Sequence, residues 1–316
     1  MATDRETFLA DVLAGLGEPP STLPTKYLYD ARGSALFDRI CALEAYYPTR
    51  TELGILAERG PEIGAACGPN RRVVELGSGS SNKTQALLDH LPDPAMYVPV
   101  DISPAPLAEA AERVAETYPG LTVRSLCADY ARPLDLPQPA RPADGDLLYF
   151  PGSTIGNFDP EEATAFLAGL AQQAGPGGQL LIGVDLIKDR AVLRRAYDDP
   201  EGVTAAFNHN LLTRLRNELD AELDPAGFAH QAPFNEDRGC VEMHLVAQRP
   251  QTIRVGGEAI PFAAGDSIRT ERSYKYSLAG FRQVAGEAGW QISAVWTDPQ
   301  EWFSVQLLEA RPSRDG

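Results

Sequence analysis

The chain is 316 residues long, roughly two domains at about 150 residues each, which excludes a mini-protein held together by staples. Apolar residues at 43% and charged residues at 23% are the proportions of an ordinary globular protein, not of a disordered or fibrous one. Against 28 Lys and Arg stand 44 Asp and Glu, a net charge of -16 whose field repels phosphate backbones and anionic lipid, so no nucleic-acid or membrane partner is expected. Phe8, Leu9, Val12, Leu13 and Leu16 follow Asp4 at helical spacing and predict a short opening helix. Residues 18–23 read as a loop. From Lys26 to Leu56 the chain is rich in aromatic residues (Tyr27, Tyr29, Phe37, Tyr46, Tyr47) and does not read as a regular strand, which makes it a candidate lining.

The clearest pattern begins at Arg71. Strands are predicted over 72–76, 97–100, 121–126, 146–150 and 179–185, and helices over 84–91, from Ser103 or Pro104 to 114, and over 161–174. This alternation predicts βαβ units and a mostly parallel, doubly wound sheet, in which ligands bind beyond the carboxyl ends of the strands. The pattern then changes to a mainly helical stretch over 190–223 and strand-like runs over 239–249 and 268–276, which read as an inserted region. A helix over 278–289 and an antiparallel hairpin over 290–296 and 302–308 then finish the first sheet.

Cys41, Cys67, Cys127 and Cys240 lie far apart, so neither a zinc site nor a disulfide framework is signalled and a reducing cytoplasm fits. Asp4, Arg5, Glu6 and Asp11 interrupt the apolar core that a signal peptide needs, and no stretch approaches the ~20 apolar residues of a spanning helix. The histidines His90, His209, His230 and His244 lack ligand spacing, so no metal is expected.

The segment from Val73 to Ser81 places Gly77 and Gly79 where a strand feeds a helix, which lets backbone approach a ligand. Three readings compete. A dinucleotide fingerprint and a phosphate-binding loop both require glycine at position 82, where this chain has Asn82. S-adenosylmethionine, which carries no phosphate, suits Glu75 before the turn and Asp101 at the end of the next strand, 24 residues beyond Gly77, where a carboxylate can accept from both ribose hydroxyls. Asp129 could meet the adenine amino group. Alternatively Asp101 and Asp129 merely cap helices and the glycines merely turn the chain.

The segments 26–38, 46–52, 75–84 and 152–157, continued by 196–199, 203–208 and Glu242-Met243, together resemble the histidine Nα-methyltransferases of ergothioneine biosynthesis, from about residue 20 to 309. The resemblance implies an α/β architecture: a Rossmann-like class I methyltransferase core with a second, mixed α+β substrate-binding domain. It assigns 1–18, 51–187 and 276–316 to the core and 19–50 and 188–275 to the second domain. By motif, Tyr46, Asn157 and Tyr197 would hold the amino and carboxylate end of the substrate, with Tyr29 and Gly152 near the reacting nitrogen. Glu271 and Ser273, two apart on one strand face, would address the imidazole nitrogens, with Met243 closing the ring pocket and Arg272 facing away. The cofactor residues carried over are Gly77, Lys83, Asp101, Asp129 and Tyr130, with Lys83 pairing with the methionine carboxylate.

The implied reaction is transfer of three methyl groups from S-adenosylmethionine to the α-nitrogen of L-histidine, giving hercynine for a sulfur-inserting oxygenase supplied by another chain. No general base is identified, and a monomer is expected. The alternatives are a relative acting on another aromatic amino acid such as tryptophan, which Glu271 and Met243 oppose because an unpaired carboxylate beside indole is costly, and a non-catalytic module that binds the cofactor.

Overall fold

In the computed structural model, which describes residues 5–78 and 82–311, the strands with near-continuous apolar sequence lie at the centre of a sheet covered on both faces. These are β1 (Arg72–Leu76), β2 (Met96–Asp101), β4 (Asp146–Phe150) and β5 (Gln179–Asp185), while the two-residue β3 (Leu126–Cys127) lies at the edge beyond β2. All are parallel, in the order β3-β2-β1-β4-β5. All residues of β4 and β5 are buried, as expected of parallel strands with helices on both sides. The C-terminal hairpin follows: Phe303–Ala310 runs antiparallel to β5, and Trp290–Thr297 runs antiparallel to Phe303–Ala310 at the edge. A parallel sheet closed by this antiparallel pair, with the strand order reversing between β1 and β4, is the Rossmann-like α/β core that the resemblance implies. Ile55, Leu56 and Ile63 of the helix Tyr47–Cys67 pack with Val73, Tyr97, Leu147, Leu181 and Phe303 to form its core.

Local chemistry sets the helix ends. Asp159 and Glu162 form a reciprocal capping box at the start of Pro160–Ala174, and that helix stops at Gly175, whose φ of 65° suits a residue without a Cβ. Pro104 opens the helix Pro104–Thr117, where its missing N–H costs nothing. The third strand is shorter than expected: of residues 121–126 only Leu126 pairs regularly, and an isolated bridge joins Val123 to Tyr97.

The chain divides into two units, Pro48–Ile187 with 275–311, and 5–47 with Lys188–Tyr274. The opening helix, expected with the core, belongs to the second unit. Its Phe8, Val12 and Leu16 are buried, Phe8 packs at a tilt against Tyr27 with ring centroids 4.2 Å apart, and Arg5 pairs with Asp220. The aromatic stretch resolves into the short 3-10 helix Thr25–Leu28, the helix Ala31–Ala42 and the start of Tyr47–Cys67.

In the second unit, β6 (Phe228–Gln231), β7 (Phe234–Asn235), β8 (Cys240–Ala247) and β11 (Ser267–Tyr274) form an antiparallel sheet in which β8 pairs with the other three. A separate hairpin, β9 (Gln251–Val255) and β10 (Glu258–Phe262), not among the predicted strands, turns at Gly256-Gly257, both with positive φ. The helices Arg190–Tyr197 and Val203–Leu219 complete this mixed α+β unit. No helix among the described residues is long and apolar enough to cross a membrane.

Candidate functional site

The carboxyl edge of the parallel sheet gathers polar residues that its apolar strands do not need for packing. At the end of β1, Gly77 adopts a φ of 75° and donates its N–H to the Val100 carbonyl at 2.9 Å. A Cβ at Gly77 would touch the Tyr130 ring at 3.5 Å, so the bare backbone leaves open the space beside that ring. The Ser78 hydroxyl is buried and has no hydrogen-bond partner among the described residues. A buried hydroxyl left without a partner costs about 1–3 kcal/mol, so it marks a place where a polar ligand can supply the missing bond. Gly79 lies outside the described residues.

Glu75, one residue before the end of β1, is buried and accepts from the hydroxyls of Thr84 at 2.6 Å and Tyr97 at 2.5 Å. Burial pushes its carboxyl above the usual range, against the opposing pull of those two bonds and of Lys83. Asp101 ends β2 and accepts from the Ser103 N–H at 2.8 Å; burial raises its carboxyl as well. Tyr130 is pushed up to about 12, by burial first and then by the charges of Asp101 and Asp129, and its ring sits edge-on to Phe150 and Phe166. Asp129 accepts from the Ala131 N–H at 2.9 Å, the same two-residue turn bond that Asp101 makes to Ser103.

Lys83 opens the first turn of the helix Asn82–Leu88 and forms a 2.6 Å ion pair with Glu52, whose side chain is 1% exposed. Glu52 also accepts from the Gly152 N–H, which begins the turn after β4. Asn157 ends the short helix Thr154–Asn157 of that turn and is half-buried. Gly77, Lys83, Asp101, Asp129, Tyr130, Gly152 and Asn157 therefore all belong to the first unit.

Tyr29, Tyr46, Tyr197, Met243, Glu271 and Ser273 belong to the second unit. Glu271 on β11 stands directly opposite Met243 on β8, so both side chains project from one face, and a bulge between Arg269 and Glu271 sets that register. Arg272 points away and pairs with Glu242, as the alternation requires. The Tyr197 hydroxyl lies 2.8 Å from Ser273 Oγ. Met243 and Glu271, with Tyr46, Tyr197, Phe37 and Phe207, line a small cavity in the second unit. Rings of Tyr29, Phe37, Phe207, Tyr46 and Tyr197 form a chain of edge and tilted contacts around it. Burial holds the Tyr46 hydroxyl well above its ordinary range, reinforced by Tyr197, Cys41, Tyr29 and Glu271, so it stays protonated and can donate.

Two residues of these surfaces had no assigned role. Thr204 lines the cavity and is buried, and nothing in its sequence context separates it from an ordinary helix threonine. Glu52 lies three and four residues before Ile55 and Leu56, so helical spacing alone places it on the buried face.

The sequence matches the family described as histidine-specific, S-adenosylmethionine-dependent methyltransferase over residues 8–310. It is 42% identical over 308 residues to the histidine Nα-methyltransferase of Mycolicibacterium smegmatis, covering 96% of this chain and 94% of that protein. It is 40% identical over 303 residues to the histidine Nα-methyltransferase of Mycobacterium tuberculosis, covering 94% and 93%. It is also 31% identical over 313 residues to ergothioneine biosynthesis protein 1 of Neurospora crassa, covering 93% of this chain and 34% of that longer protein. The match to the family model over residues 8–310, with relatives at 40–42% identity across almost the whole chain, makes this chain a member of the histidine-specific, S-adenosylmethionine-dependent methyltransferase family.

Proposed function

We propose that the protein transfers three methyl groups in succession from S-adenosylmethionine to the α-amino nitrogen of L-histidine, giving the trimethylated betaine. The observation that carries this reading is the Glu271–Met243 cross-strand pair with Ser273 on the same face, set in a small aromatic-lined cavity. A carboxylate accepts from an imidazole N–H, a serine hydroxyl bonds the other ring nitrogen, and methionine packs against the ring. Relatives named histidine Nα-methyltransferase support histidine as substrate and its α-nitrogen as the reacting atom.

In this reading Asp101 holds the ribose, Gly77 and Tyr130 border the nucleoside, Lys83 meets the methionine carboxylate, and Asp129 faces the adenine amino group. Tyr46, Tyr197 and Asn157 hold the α-amino and carboxylate end of histidine, with Tyr29 and Gly152 beside the nitrogen. The cofactor supplies an electrophilic methyl on a sulfonium, so the protein needs alignment more than acid–base chemistry. Neutral hydroxyls at Tyr46 and Tyr197 bind a carboxylate without adding positive charge near a sulfonium. Each transfer releases S-adenosylhomocysteine, and after the first and second the methylated nitrogen gives up a proton; with the substrate gripped at carboxylate and ring, it then turns the regenerated lone pair toward the next methyl group.

The test starts separate reactions from histidine and from its α-N-methyl and α-N,N-dimethyl derivatives, with product masses followed over time. All three should converge on the trimethyl product. Accumulation of a mono- or dimethyl end product from histidine contradicts successive triple transfer.

A further inference from the structure

Glu52 lies on the face of the helix Tyr47–Cys67 that also buries Ile55, Leu56 and Ile63, and its side chain is 1% exposed. A carboxylate in that position is tolerated only when paired and hydrogen-bonded. Both of its partners lie at the carboxyl edge of the sheet. Lys83 Nζ stands 2.6 Å from Oε2, and the Gly152 N–H donates to Oε1 at 3.1 Å and to Oε2 at 2.9 Å. Beneath the carboxylate is Gly183, in the middle of β5. A Cβ there would stand 2.2 Å from Glu52 Oε1 and 3.0 Å from the Phe303 ring. The backbone of Gly183 is ordinary strand, so this glycine answers to the space Glu52 occupies and not to backbone strain.

We propose that Glu52 is a positioning residue for methyl transfer, fixing in one bidentate contact the lysine on the cofactor side and the loop on the substrate side. The proposal rests on the roles given to Lys83 and Gly152 under Proposed function. Lysine carries a flexible four-carbon stem with about 2 kcal/mol of rotamer entropy, and the ion pair confines it to one arrangement. Gly152 and Ser153 occupy the left-handed region in succession, with φ of 80° and 57°, and the bond to Glu52 pins the start of that turn. A shared anchor therefore sets the relative position of two surfaces between which an in-line displacement must be aligned, and misplacement by about 1 Å can cost about 100-fold in rate.

The experiment compares Glu52→Gln, Glu52→Ala, Gly183→Ala and Lys83→Met in the full chain, reading S-adenosylhomocysteine affinity by calorimetry and kcat and KM separately. Glu52→Ala should lower kcat by about 100-fold. Glu52→Gln keeps an oxygen for the Gly152 amide, so it should recover most of that kcat while still raising the KM for S-adenosylmethionine about tenfold, because the lysine loses the ion pair that holds it in place for the methionine carboxylate. Gly183→Ala removes no charge but displaces the carboxylate, and should lower kcat at least about tenfold; it keeps the test decisive if Glu52→Ala does not fold. Folded Glu52→Ala or Gly183→Ala protein with unchanged kcat and KM overturns the proposal. If Lys83→Met weakens S-adenosylhomocysteine binding while the Glu52 and Gly183 variants behave as wild type, this proposal alone fails. If Lys83→Met leaves that affinity unchanged, the assignment of Lys83 fails and the proposal with it.

Discussion

The hydroxyl of Tyr197, at the end of the helix Arg190–Tyr197, lies 2.8 Å from Ser273 Oγ on β11. The motif reading gives these residues opposite ends of the substrate, the carboxylate for one and the ring for the other, yet they bond directly and both are buried. Their contributions to binding should therefore be coupled. Each of Tyr197→Phe and Ser273→Ala is expected to raise the KM for histidine about tenfold, the effect of about 1.4 kcal/mol. The double variant should cost about 0.5–1.5 kcal/mol less than the sum, because either single change already breaks the shared bond. Strict additivity in steady-state kinetics would show that the two hydroxyls act independently.

Protonation links this pocket to stability. His230 Nδ1 accepts from Asn208 Nδ2 at 2.9 Å, and its Nε2 donates to the Tyr197 carbonyl at 2.8 Å, an arrangement only the neutral ring can make. Burial lowers its pKa, against the opposing effects of the Tyr197 carbonyl and of Asp198 and Asp199; His209 is the other ionisable group close to it. The unfolded chain takes up a proton near pH 6.5, before the folded one does, so the unfolded state binds more protons below that value. Stability is then lost as pH falls through about 6.5 toward the lowered folded pKa. His230→Gln, which can both accept and donate, should reduce that loss by at most about 1.4 kcal/mol per pH unit. Urea unfolding of both proteins at pH 7.5 and 5.0 checks this, and identical pH dependence would contradict it. His209 and His244, also lowered by burial, leave the variant a residual slope of the same sign.

Trp290 begins the edge strand of the C-terminal hairpin, is fully buried, and donates its indole N–H to the Leu167 carbonyl at 2.8 Å. Trp290→Phe removes that bond and leaves a gap in the packing between hairpin and helix. Chemical denaturation should show a loss of about 1–3 kcal/mol, with kcat changed little because the site lies elsewhere on the sheet. A loss below about 0.5 kcal/mol would mean that the edge strand adds little to the core.

The parts of this protein most legible in the sequence are those whose signal is local. Leu147–Phe150 and Leu180–Val184 are buried on both faces and bounded by turn residues, so their continuous apolar runs identify them. Glu271 and Ser273 share a face because strand residues alternate, and Arg272 turns to Glu242 for the same reason. Long-range pairings were not legible. Lys83 reads as a solvated helix lysine until the fold brings it to Glu52, 31 residues earlier in the chain. The Tyr197–Ser273 bond spans 76 residues. The opening helix carries an ordinary amphipathic pattern that does not say which unit its apolar face covers. The β9–β10 hairpin did carry a local signal in Gly256-Gly257, but its strands alternate with exposed Thr252, Arg254 and Glu258 and lack a strong apolar run.

The most direct test of the account is product mass after incubation with S-adenosylmethionine and each of the twenty amino acids separately, for the wild-type protein and for Glu271→Ala. The account predicts gains of one, two and three methyl groups on histidine alone, and in Glu271→Ala a loss of histidine kcat/KM of about 100-fold, the effect of removing a charged hydrogen-bond partner. Methylation of another amino acid in preference to histidine, or a Glu271→Ala protein that turns over histidine as well as wild type, would contradict it.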